Sequence, residues 1–114
     1  MQGNQAPATD RRTPRHRTFL GGKLIYGAAF STDCVVRDMS DTGARLQLPR
    51  DLPVPDDVQL LELKSGIAFD ARIVWRRYPM VGIAFTDQHL LGGEVSPNLR
   101  ILKQIWQSAR QLQG

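Results

Sequence analysis

Residues 67–85 read IAFDARIVWRRYPMVGIAF, and the rhythm of that stretch decides the fold. Ala71, Ile73 and Trp75 alternate with Arg72, Val74 and Arg76, and beyond the break Val81, Ile83 and Phe85 share one face. A period of two belongs to a half-buried strand, because successive side chains of a strand leave on opposite sides. Tyr78-Pro79 interrupts the run, so the stretch predicts two strands, 67–76 and 80–85, joined by a turn, with Trp75 facing inward.

The same pattern returns in both directions. Upstream, Lys64-Ser65-Gly66 turns the chain back to a strand over 58–63, and Pro49, Pro53 and Pro55 with Asp51, Asp56 and Asp57 form a stiff polar loop. Ala44, Leu46 and Leu48 alternate with Arg45 and Gln47 in a strand over 44–48. The turn 38–43 precedes it, and strands over 33–37 and 23–29 come before that, the latter entered through Gly21-Gly22. Six short strands with no helical period between them predict a mainly β fold, a six-stranded antiparallel barrel over 19–90. Downstream of Gly92-Gly93 the period lengthens. Ser96 suits an N-cap, Pro97 the first helical position, and Leu99, Leu102, Ile105, Trp106, Ala109 and Leu112 make one apolar stripe. A C-terminal α-helix over 96–113 is therefore expected to pack on the barrel or on another subunit. With 114 residues, 41% hydrophobic and 23% charged, the chain fits one globular domain with a core of its own.

The net charge of +4 is concentrated in one place. Arg11, Arg12, Arg15 and Arg17 fall within seven residues, and no acid lies between Asp10 and Asp33; the remaining basic residues match the acids in number. Residues 1–18 lack the apolar side chains to form structure alone, so they predict a flexible basic arm that seeks an anionic partner.

Catalysis finds little support. The two histidines, His16 and His89, fall in expected arm or loop, and Cys34 sits among apolar neighbours as a buried small hydrophobe. No spacing of Cys, His and carboxylates forms a metal cage, and no glycine-rich phosphate loop precedes a helix. The chain is not expected to be an enzyme or to need a cofactor. The first ten residues carry no signal-peptide pattern, and the longest near-apolar run, 24–30, is far too short to span a bilayer, so a soluble cytoplasmic protein is expected.

Two features remain. Arg11 and Arg15 stand four apart, and Asp38, Ser40 and Gly43 form D-x-S-x-x-G at a strand-to-turn edge. Each alone is common, as a solvated basic tail or as an ordinary hairpin turn. Together and in this order, they resemble the PilZ family of bacterial cyclic-di-GMP receptors, in which an RxxxR segment precedes a six-stranded barrel bearing a [D/N]xSxxG turn. The GARLQL, IVWRR and VGIAF strands and the C-terminal helix match that layout too. The resemblance implies a receptor that binds cyclic-di-GMP through Arg11, Arg15, Asp38, Ser40 and Gly43, with Arg12, Arg17 and Arg76 as additional contacts. It further implies that the arm orders on binding and relays the signal to an effector protein, in motility, exopolysaccharide synthesis or surface attachment.

The chemistry suits such a ligand. Arginine's planar fork serves both guanine's O6/N7 edge and a phosphodiester. A carboxylate accepts from guanine N1–H and N2–H₂, and serine donates or accepts. Gly43 is expected either to let the backbone approach the ligand or to take a positive φ. Trp75 with Arg76 is a further stacking candidate, and Arg37 and Arg45 flank the turn. Two other readings compete: a ligand-free protein-interaction module of the same fold, and a small basic barrel for single-stranded nucleic acid. The second needs aromatic residues spread along exposed strand faces, whereas Phe19, Trp75, Phe85 and Trp106 look committed to packing.

Overall fold

In the computed structural model the described residues are 16–27 and 30–113, with side chains as far as Arg110. Six antiparallel strands, β1 (His16–Tyr26), β2 (Phe30–Met39), β3 (Gly43–Gln47), β4 (Asp57–Glu62), β5 (Ile67–Arg77) and β6 (Met80–Leu90), close into a barrel in the order β1-β2-β3-β6-β5-β4. A short 3₁₀ turn, Pro97–Leu99, leads into the helix α1 (Arg100–Gln113).

Alternation produces this closure. Leu24, Val36, Leu46, Leu60, Val81 and Ile83 point from five strands into one cluster, each almost fully buried. Each such side chain contributes about 1.5–3 kcal/mol relative to an exposed one. A second cluster lies outside the barrel. There Leu102, Trp106 and Ala109 of α1 cover Leu61, Leu63, Ala68 and Leu91, so the helix packs on its own barrel. The Trp106 indole N–H donates to the Leu63 carbonyl at 2.8 Å, pinning the helix to the end of β4.

Several boundaries differ from the sequence reading. The expected arm 1–18 is shorter, because residues 16–18 already belong to β1; residues 1–15 lie outside the described residues. Gly21 and Gly22 sit within β1 and do not lead into it. A Cβ at Gly22 would come 3.2 Å from Cys34 Sγ, so β1 passes close over β2 there. The last strand runs on to Leu90, which places His89 in a strand, as His16 also is. Ser96 makes no side-chain cap, and Pro97 opens the 3₁₀ turn ahead of the α-helix. The side chain of Leu112 lies outside the described ones.

Register shifts break the period of two in four places: between Arg17 and Leu20, Val36 and Asp38, Asp70 and Ala71, and Ile73 and Trp75. A bulge inserts a residue and flips everything beyond it to the other face. Trp75 is the plainest case. Ile73 still faces the core opposite Ile83, but Trp75 lies opposite Gly82 and is 41% exposed. The expectation that it faces inward is wrong for that reason. Phe19, next to the β1 bulge, is likewise exposed and not packed in the core.

Candidate ligand-binding site

The bulge at Arg37 determines where Asp38 points. Strict alternation from Cys34 and Val36 would aim Asp38 into the core. The inserted residue instead places it opposite Arg45, which leaves the barrel on the outer side between the buried Ala44 and Leu46. Directly opposed residues share a face. Arg45 Nε donates to Asp38 Oδ2 at 2.8 Å, and Asp38 is 7% exposed although it faces away from the apolar core. On its other side Asp38 pairs with Arg17 of β1. Continuing past Arg45, the register passes to Gly82 and then to Trp75. One row thus crosses five strands on the outer face: Arg17, Asp38, Arg45, Gly82, Trp75.

The strand ends at Met39, so Ser40 belongs to the turn and does not continue the face of Asp38. Its backbone N–H donates to the Gly43 carbonyl at 2.9 Å, and its Oγ accepts from the Thr42 N–H at 3.2 Å. These local bonds give the turn its shape. Gly43 opens β3 opposite Ala84. A Cβ on it would lie 2.2 Å from the Ile83 carbonyl oxygen, so glycine is required there for close approach of two strands. Its φ is not positive: among the described residues the left-handed glycines are Gly27 and Gly66.

Beside the turn, the mouth of the barrel opens as a cleft of about 770 Å³. It is lined by His16 and Thr18 of β1, Met39, Ser40 and Asp41 of the turn, and Phe69 and Gln88. Asp38, Ser40 and Gly43 therefore lie together, at the junction of the outer row and this mouth, with the start of β1 alongside. Arg11, Arg12 and Arg15 lie outside the described residues, and the chain enters β1 directly at this edge. Arg17 is in the row. Arg76 is directed elsewhere: its guanidinium donates to the Val54 carbonyl and to Asp56 at 3.0 and 2.8 Å, and that bond and charge hold the Asp56 carboxyl below its ordinary range. Arg37 bonds Gln47 and lies over the Phe19 ring.

A second polar group was missed from sequence. Asp70 and Asp87 are directly opposed on β5 and β6, and His89 follows two positions on; their ligand atoms lie within 4.8 Å of one another. Two carboxylates and an imidazole at that spacing have the donor set for a divalent cation. Hydrogen bonds already account for the arrangement, since Gln59 and His89 both bond Asp70. Burial raises the Asp70 pKa, and those two bonds outweigh it, holding the carboxyl below its ordinary value. The signal was absent from the sequence reading because residues 86–90 were taken as loop. Cys34 is buried, and desolvation pushes its thiol up to about 12, which makes it a poor nucleophile.

Among the described residues no helix is long and apolar enough to cross a membrane. The family model for the PilZ domain matches residues 9–91, a span that takes in the arginine segment, all six strands and the Asp38–Gly43 turn. A search of curated proteins found no match.

Proposed function

The chain belongs to the PilZ domain family, generally receptors for cyclic-di-GMP, and from that premise we propose that it binds this dinucleotide where the outer row meets the barrel mouth. The observation that carries the reading is the meeting of Asp38, Ser40 and Arg17 at the edge where the arginine segment enters β1. In this reading Arg11 and Arg15 supply forked donors for guanine O6/N7 and for phosphate, and Asp38 accepts from a guanine Watson–Crick edge while sharing its carboxylate with Arg45. Ser40 supplies an adaptable hydroxyl, and Arg12 and Arg17 add positive charge along the diester. Gly43 contributes by holding the turn against β6 and not by touching the ligand.

Family members are ligand-binding and adaptor modules and not enzymes. We extend this to a mechanism: the ligand draws residues 11–15 onto the Asp38 edge, and the surface so formed is what a cytoplasmic effector protein reads. Calorimetric titration with cyclic-di-GMP tests the reading, with GTP as control. Saturable heat that Arg15→Ala abolishes, with GTP inert, supports it. A folded wild-type protein that gives no binding overturns it in favour of a ligand-free interaction module.

A further inference from the structure

Trp75 is an exposed indole with a built seat. It lies opposite Gly82, and a Cβ on Gly82 would fall 2.1, 2.3 and 2.7 Å from the indole Nε1, Cε2 and Cδ1. Three atoms of the five-membered ring are thus all close to one point, so the ring lies across the glycine and not end-on to it. One face of the indole rests on β6 backbone, and the residue as a whole is 41% exposed. An aromatic ring held in this way has little conformational entropy left to lose when a flat partner lands on it.

The seat lies in the row already described. From Asp38 on β2 the register runs to Arg45 on β3 and Gly82 on β6, and the indole of β5 leans back over Gly82. At about 4.8 Å per strand, roughly 10 Å separates Asp38 from the ring. Arg45, whose side chain is 43% exposed, stands between them. Resting on the ligand reading above, we propose that Trp75 is a stacking platform for one guanine of the dinucleotide. The other guanine sits at Asp38, and the Arg45 guanidinium faces the phosphodiester between them. Stacking on an indole recognises the π-face of a base, and the positive charge alongside fits an anionic backbone. A cyclic dinucleotide, with two bases flanking a phosphate ring, matches that order of acceptor, cation and aromatic surface.

The test uses the full chain with Trp75→Leu, which keeps apolar bulk but removes the π-system, Trp75→Phe, and Gly82→Ala, whose methyl displaces the indole without removing it. Melting curves and far-ultraviolet circular dichroism establish that each is folded. Cyclic-di-GMP is titrated while tryptophan fluorescence is recorded; Trp106, the other tryptophan, is buried under the helix and supplies a steady background. The platform predicts quenching in the wild type that is lost in Trp75→Phe. It also predicts affinity weakened about 5- to 100-fold in Trp75→Leu, less in Trp75→Phe, and weakened in Gly82→Ala. Wild-type affinity in Trp75→Leu without quenching in the wild type overturns the platform and leaves the receptor reading standing. Absence of any cyclic-di-GMP binding by the wild type overturns both.

Discussion

A methyl group on Gly43 would bring carbon within 2.2 Å of the Ile83 carbonyl oxygen, a backbone atom that cannot swing aside. Gly43→Ala should therefore lower stability by about 1–3 kcal/mol, the usual cost of forcing extra volume into a packed site. A urea denaturation midpoint equal to that of the wild type would contradict the close approach. Cys34 makes a different residue-scale prediction. Its thiol ionises near 9.0 when unconstrained and is pushed up to about 12 in the fold, chiefly by desolvation. Between those values the unfolded chain gains a thiolate that the folded one refuses, so this contribution to stability is intact below pH 9 and is lost as pH rises towards 12. Urea midpoints measured from pH 7 to 10.5 should fall more steeply for the wild type than for Cys34→Ala; parallel curves would contradict the burial. Both residues were legible in part. Cys34 was placed in the core by its apolar neighbours alone. The role of Gly43 was not, because the atom that excludes a side chain belongs to a strand forty residues away in sequence.

Among the elements, legibility ended at the bulges. The period of two identified all six strands and the helix stripe identified α1, since both patterns are local. A bulge, however, leaves no mark in a single sequence, and each one here reversed the facing of what followed: Asp38 after Arg37, Trp75 after Val74. The errors therefore cluster around the candidate site, where inserted residues re-aim side chains. Strand ends were misjudged for a related reason. The starts of β1 and the end of β6 carry polar residues that pair through backbone alone, so hydropathy did not extend the strands to His16 or Leu90. The helix–barrel contact concentrates in Trp106, which bonds the Leu63 carbonyl and packs against Gly66, a residue held at φ +70°. Trp106→Ala should cost about 3–5 kcal/mol. A thermal melt unchanged from the wild type would show that α1 contributes little to holding the barrel.

Across the whole molecule, function divides by surface. The helix covers one outer patch of β4 and β5, whereas the row from Arg17 to Trp75 and the mouth beside Ser40 occupy another. The excess positive charge of the chain enters at this second surface, because Arg11, Arg12, Arg15 and Arg17 lead into β1 there. An anionic ligand is thus drawn to the edge where its acceptor and hydroxyl partners stand, and a signal can be read without disturbing the helix. A separate cleft of about 400 Å³, between Ile25, Tyr26, Asp57, Gln59, Asp70 and Arg72, offers a competing location with three polar or acidic walls. The most direct measurement is an amide-resolved NMR titration of the isotopically labelled chain with cyclic-di-GMP. The account predicts saturable shifts concentrated at residues 16–18, 38–45 and 82 and in the Trp75 indole N–H. Shifts that gather instead around 57–59 and 70–72, or an unchanged spectrum, would contradict it.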